Sequence, residues 1–327
     1  MHLCRLCGVW FAVCTMAAAA LAAETYPSYP SRPLRFIVPF PPGGANDTVA
    51  RLAGPKITER LGQQVVVDNR LGASGAVALD LTARATPDGY TLLVGNNTSN
   101  GIVPVLFAAR MKSDPRKELT GITLMAEIQH VLIASVKLPP NTFQELIEYV
   151  RARPGRLNYS APLGGHPHLD MLALAAATKL NMVHVPSKGA GESIPMLLRG
   201  EAQVSNSNLA SVIGLLRAGQ LKAYAVTGAQ RIGELSTVPT FTEMGVGEVG
   251  SVNWVGLFAP ARTPRAIIDK LHAVIADILS KPDMKETYAA RLVPLAVSRS
   301  PAEFNAFVLS EIRRWEKVVK DNKLSIE

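Results

Sequence analysis

Short apolar, β-branched runs alternate with longer helical stretches along most of the chain, and this alternation limits the fold more than any other feature. Residues 34–39 read as a strand and 48–61 as a helix. Residues 64–68 (QVVVD) read as a strand, 76–85 as a helix and 91–95 (TLLVG) as a strand. Apolar runs of this kind between helices predict an α/β fold with a parallel, doubly wound sheet. Around 119–137 two strand-like runs follow in succession. The alternation then resumes, with helices expected over 142–151, 168–180 and 193–200. Strands are expected over 157–160, 182–185, 203–206 and 222–227. Thr142 with Glu145 three residues on forms a capping-box pattern at the first of these helices. After a link containing Gly245, Gly247 and Gly250, a strand returns at Trp254 (WVGLFAP), and helices follow over 264–279 and 301–322. Two α/β units with a late return to strand predict two lobes joined by two crossings. Lobe one takes 24–130 plus 251–327, lobe two takes 131–250, and a ligand cleft lies between them.

The first 23 residues stand apart from this pattern. Arg5 supplies a positive start, 6–20 are apolar, and Leu21-Ala22-Ala23 offers small residues before Glu24. This is the pattern of a cleaved secretory signal peptide. Cys4, Cys7 and Cys14 all lie within it, and no lipobox precedes Cys14. The exported chain is therefore cysteine-free, which excludes thiol catalysis and thiolate metal sites and suits a bacterial periplasm. No later segment reaches the roughly 18 apolar residues that a membrane span needs. The net charge of +8 is dispersed, and its densest cluster, EIRRWEKVVKDNK, mixes signs at helical spacing. It reads as a solvated helix face, and nucleic acid is excluded as a partner.

Function is expected where strands end and helices begin. In open α/β sheets ligands bind beyond the carboxyl ends of strands. PFPPGG (39–44) sits at such an end. Gly43 and Gly44 let backbone N–H groups approach a ligand, and Asn46 or Asp47 can cap the helix that follows. A helix start of this kind suits an anion. Neither G-x-x-x-x-G-K-[ST] nor G-x-G-x-x-G is present, and Asp47 would repel a polyphosphate, so a carboxylate fits better. The same chemistry recurs in NRLGASGAV (69–77) and in GNNTSNG (95–101), with Asn97, Thr98 and Ser99. It recurs again in APLGGHPHLD (161–170), with Gly164 and His166, in VPSKGAGES (185–193), and in SNSN (205–208), with Ser207. Six polar, largely neutral loops form the expected walls of the cleft.

These stretches, with LGQQVVVDNRLGASG, ATPDGYTLLVG, RPGRLNYSAP, LKAYAVTGAQR, VPTFTEMG and SPAEFNAF, make the chain resemble the Bug-type solute receptors of tripartite tricarboxylate transporters. The similarity runs from about residue 29 to 326. The resemblance implies a type II periplasmic-binding-protein fold with a hinge. It also implies a non-enzymatic receptor for a small organic anion, whether a di- or tricarboxylate, an acidic amino acid or another carboxylate. By position it points to Phe40, Pro42, Gly43, Gly44, Asp47 and Ser99 in lobe one. In lobe two it points to Pro162, Gly165, Pro186, Lys188 and Gly189. The implied partners are membrane permease subunits, the receptor is expected as a monomer, and no cofactor is implied. A sensory receptor and, more remotely, a periplasmic hydrolase are the alternatives. The second-lobe loop departs from the family pattern: it is one residue shorter, with His166 where serine is usual. Ser187 replaces the aromatic of V-P-Y-K-G.

Several residues admit two readings. His166-x-His168 with Asp170 looks like a metal nucleus that would need a third ligand from His184 or His130. A polar ligand contact at His166 is the favoured reading and no metal is expected; His168 reads as structural, and His184 and His130 as satisfied core residues. Asp47 either stabilises the helix start or contacts the ligand. Lys188 is either a solvated charge or the partner of a distal carboxylate. Trp254 and Trp315 read as packing residues. Ser74 in GASG misses the G-x-S-x-G elbow by one residue.

Overall fold

A computed structural model describes residues 29–246, 249 and 252–321. The leader and its cleavage site lie outside the described residues. The chain first lays down β1 (Leu34–Val38), α1 (Ala45–Leu61), β2 (Val65–Asn69), α2 (Ala76–Ala83), β3 (Thr91–Asn96) and β4 (Leu119–Ile128). It continues with β5 (His130–Ser135), α3 (Phe143–Arg151), β6 (Asn158–Ala161), α4 (His166–Thr178), β7 (Val183–Pro186), α5 (Ala190–Arg199), β8 (Val204–Asn208), α6 (Leu209–Arg217) and β9 (Leu221–Val226). It closes with β10 (Asn253–Pro260), α7 (Arg265–Ser280), α8 (Pro282–Ala289) and α9 (Pro301–Asp321).

Two five-stranded sheets result, ordered β2-β1-β3-β10-β4 and β7-β6-β8-β5-β9. Both are mixed, which corrects the expectation of a parallel sheet. β1 runs parallel to β2 and β3, and β6 parallel to β7 and β8. β10 is antiparallel to β3 and β4, and β5 is antiparallel to β8 and β9. The reversed strands are the two by which the chain arrives from the other sheet. A strand coming from the opposite lobe enters at the carboxyl ends of the resident parallel strands, so it must run against them.

Only Gln129 separates β4 from β5, so the chain passes from sheet to sheet without a loop. Each sheet is covered on both faces, as strands in α/β layers must be. In the first, Phe36, Leu92 and Val94 pack toward Ile57, Ile268 and Ile275. Trp254, Phe258 and Phe304 fill the opposite face. In the second, Leu132 and Ala134 face Tyr159 and Tyr224, while Val131 and Ile133 face Val212 and Val226. The strict alternation along β5 puts neighbours in different cores.

Two of these helices, and the short helical turns Val103–Leu106 and Pro115–Glu118, were not legible in the sequence. α6 starts directly after Asn208 with no glycine or proline to mark the change, and α8 follows α7 with only Lys281 between them. α1 begins at Ala45, with Gly44 rather than Asn46 or Asp47 at its N-cap. At α3 the capping box forms in one direction: Thr142 Oγ1 accepts from the Glu145 N–H at 3.2 Å. The Glu145 carboxylate reaches back to accept the Asn141 N–H at 2.8 Å.

Candidate functional site

The first-lobe loops are tied to one another by buried polar side chains. Asn46 donates to Val94 O at 2.7 Å and accepts from Asn96 Nδ2 at 2.9 Å, joining the start of α1 to the end of β3. Asn96 Oδ1 in turn accepts the Ser99 N–H at 3.0 Å, and Ser99 Oγ accepts the Asn96 N–H at 2.9 Å. Ser99 thus closes the wide helical turn Asn97–Ile102 on itself. Gly75 lies against both neighbours: at its φ of +107° a Cβ would fall 3.0 Å from Ser99 Cβ and 3.1 Å from Pro39 Cβ. No side chain fits where the three loops converge.

Asp47 turns inward. It accepts from Gly43 N–H at 2.9 Å, from Arg51 Nε at 3.0 and 2.9 Å, and from Asn69 Nδ2 at 3.0 Å. Asn69 Nδ2 also holds Phe40 O at 2.9 Å. Burial works to raise the Asp47 pKa. The hydrogen bonds from Arg51, Gly43 and Asn69 outweigh it and hold the carboxyl below its ordinary value. The helix-start reading of Asp47 is therefore what the contacts describe. The two glycine N–H groups expected to face a ligand are engaged within the loop, Gly43 to Asp47 and Gly44 to Pro41 O at 3.1 Å. Gly44 caps α1 without a side-chain acceptor, so the donors at this helix start are the N–H groups of Ala45, Asn46 and Asp47. Ala45 was not singled out by sequence, because the helix was expected to start later. Pro42 and Gly43 are exposed beside this turn.

In the second lobe, Gly165 caps α4 and donates to Pro162 O at 2.9 Å, and Gly164 N–H donates to His168 Nδ1 at 3.1 Å. His168 stacks on His184, ring centroids 4.0 Å apart, and burial together with His184 pushes its pKa down to about 4. His184 Nε2 holds Ala161 O at 2.9 Å. Both are structural, as expected. Lys188 is solvated, its side chain 88% exposed and 3.7 Å from Glu192. Gly189 caps α5, and Pro186 ends β7. Ser207 is buried, 3.4 Å from Ser205 Oγ.

The lobes meet through these same loops. Thr98 Oγ1 accepts the His166 N–H at 3.1 Å, and Ser74 Oγ donates to Leu163 O at 3.1 Å. Trp315 of α9 donates its Nε1–H to Asn97 Oδ1 at 2.6 Å, presents its ring edge-on to His166 at 5.6 Å, and packs on Leu169. Trp254 is a core residue that donates to Glu311 at 3.2 Å. The hydroxyl of Ser74 therefore hydrogen-bonds a main-chain carbonyl across the cleft.

His166 does not pair with His168. Its Nε2 lies 3.2 Å from Asp170 Oδ2, and its ring lies 4.7 Å from that of His130. His130, at the start of β5, is held by Asn208 Oδ1 at 2.7 Å from Nε2, while its Nδ1 is buried without a hydrogen-bond partner. The expectation of a satisfied core histidine is corrected at this position. The strand register that brings His130 opposite Asn208 is not visible in sequence.

The sequence profile of the tripartite tricarboxylate transporter family receptors matches residues 49–324. Protein BugT of Bordetella pertussis is 32% identical over 323 residues, covering 98% of this chain and 97% of BugT. Among solved structures, Rpa4515 of R. palustris with adipate superposes with a TM-score of 0.85 at 31% identity, covering 91% of this chain and 99% of that one. MatC from Rhodopseudomonas palustris with bound malate gives 0.80 at 33%, covering 89% and 100%. With two mixed sheets, a doubled crossing and this match over most of its length, the chain belongs to the receptor family of the tripartite tricarboxylate transporters.

Proposed function

We propose that the protein is a periplasmic receptor that captures a small organic acid, with a di- or tricarboxylate as the first class to test, and delivers it to permease subunits of a tripartite transporter. The observation that carries the reading is the side-chain-uncapped start of α1 at a strand end, where the Ala45, Asn46 and Asp47 N–H groups and the helix dipole favour an anion. Asp47 itself is consumed by Arg51, Gly43 and Asn69, so its charge is screened from that point. The relatives solved with adipate and with malate support a carboxylate. The second wall comprises Thr98 and the loop carrying Pro162, Gly164, Gly165 and His166. Ligand bridges the lobes and favours the closed form by its differential affinity. The moving bodies are 24–130 with 251–327, and 131–250, and the receptor works as a monomer. Micromolar affinity corresponds to about −8 kcal/mol. Several charge-assisted hydrogen bonds of about 1.5–3 kcal/mol each supply much of it, offset by the entropy of association.

Thermal unfolding of the exported chain against dicarboxylates, citrate-like acids, acidic amino acids and aromatic acids tests the reading. A ligand at 100 times its dissociation constant adds about 2.7 kcal/mol, a shift of several degrees. Gly44→Val places a side chain beside the anion position. Gly44 has an ordinary φ of −72°, but its Cβ would fall 3.1 Å from Pro41 O, a tight backbone contact that the exposed turn must relieve by a few tenths of an ångström, so the variant is melted without ligand first. The variant is expected to lose the ligand shift while melting close to the parent. Normal binding by Gly44→Val would place the site elsewhere. The absence of any shift after denaturation and refolding, to strip carried ligand, would defeat the carboxylate reading.

A further inference from the structure

We propose that His130, His166 and Asp170 hold a divalent cation of the zinc class where the two lobes join. The site is independent of the anion position at α1 and stands or falls without it. Its donor atoms, two imidazole nitrogens and a carboxylate oxygen, all lie within 4.8 Å of one another, and all three residues are buried. Asp170 Oδ2 is 3.2 Å from His166 Nε2 and 3.8 Å from His130 Nδ1. Ligands about 2.0–2.1 Å from a tetrahedral ion stand roughly 3.3 Å apart, so the His166–Asp170 separation already matches one edge of a coordination shell and His130 would have to move inward to complete it. Two imidazoles and one carboxylate suit zinc and its first-row neighbours.

The proton positions point the same way. Asn208 Oδ1 can only accept, so the ring proton of His130 sits on Nε2, and Nδ1 presents a lone pair. That lone pair faces a carboxylate oxygen, and Nδ1 has no hydrogen-bond partner. Two electron-rich atoms turned toward each other in a buried place require a positive charge between them. Asp170 is 2% exposed, and among the described residues the ion pairs it makes are to the two imidazoles, not to a lysine or arginine. A cation is the compensation that a buried carboxylate needs.

The surroundings resemble the outer shell of a metal site. Asn208 orients His130, and Asn206 Nδ2 donates to Asp170 Oδ2 at 2.8 Å. Partners of this kind fix the tautomer and aim the ligands. Asn206 Oδ1 is itself buried without a partner and offers a further oxygen beside the cluster. His130 opens β5 immediately after the crossing at Gln129, and the His166 main chain reaches Thr98 of the other sheet's loop. An ion here would bind where the lobes join.

The test uses untagged protein recovered from the periplasm of an expressing host, stripped with EDTA and dialysed. Zn²⁺ is titrated calorimetrically, and Co²⁺ is followed by its visible d–d absorption. One ion per chain is expected, with the intense Co²⁺ bands of a four- or five-coordinate site. Asp170→Asn and His130→Gln should each weaken Zn²⁺ by about 100-fold or more, and the positioning variant Asn208→Ala by about 10–100-fold. Circular dichroism and melting in EDTA establish that each variant folds. If Asp170→Asn does not fold, His130→Gln and Asn208→Ala decide the matter. Carboxylate binding is measured in EDTA as well, so loss of the metal site and loss of the receptor reading are separate results. Absence of stoichiometric Zn²⁺ or Co²⁺ binding, or binding that survives both ligand substitutions, overturns the proposal. Nitrogen NMR showing His130 doubly protonated at neutral pH would assign the compensating charge to a proton and overturn it equally.

Discussion

Asp47 draws the exposed PFPPGG turn, the first helix and the second strand onto one carboxylate. Charged hydrogen bonds are worth about 1.5–3 kcal/mol each in favourable settings, but the Arg51 side chain is 53% exposed and its share is screened. Asp47→Asn should therefore cost roughly 1–2 kcal/mol in denaturant unfolding and loosen the turn at Gly43. The pH dependence follows from the lowered pKa. The carboxylate is ionised in the fold to a pH below its ordinary 3.8, so its contribution is complete above that value and is lost as pH falls through the lowered folded one. The difference in stability between parent and Asp47→Asn, followed from neutral to strongly acidic pH, should shrink across that window; a constant difference would refute the ionic account. Arg51 lies four residues on, one helical turn from Asp47, so helix geometry alone brings the pair together. Asn69, which completes the cage, was not legible in the sequence, because the contact depends on β2 lying beside β1.

At the scale of elements, α9 does more than its sequence suggests. The mixed charges of its last turns read as a solvated face, and the opposite face carries Phe304, Val308, Ile312 and Trp315 into the structure. Trp315 ends that stripe at the lobe boundary, holding Asn97 and touching His166 and Leu169. Trp315→Phe keeps most of the ring and removes the N–H donor, so the buried Asn97 carbonyl loses that bond. The expected cost is about 1–3 kcal/mol in chemical denaturation, and since Asn97 lies in the same lobe as Trp315, ligand binding should weaken only through the smaller ring's contact with His166 and Leu169 of the other lobe. Unchanged affinity would show that α9 braces one lobe only. The fourth helix carries a similar lesson. It starts at His166 rather than His168, which puts residues 166 and 170 on one face and turns 168 away. The histidine pair that looked like a metal nucleus is split by helical geometry alone.

For the whole molecule, the chain crosses between the two sheets twice, once with a single residue and once before β10. Such a connection favours rigid lobes that rotate about the crossings. Small-angle scattering should show the radius of gyration falling when a stabilising carboxylate is added, and an unchanged profile would mean that the free protein is already closed. The sequence by itself determined the alternation, the loops at strand ends and the family, since each depends on local period, on glycine and proline, and on neighbouring residues. The tertiary structure decided the reversed strands, the inward turn of Asp47 and the meeting of His130 with His166 and Asp170. Those contacts join residues far apart in the chain, and only strand order and register, set by burial of both faces of each sheet, bring them within bonding distance.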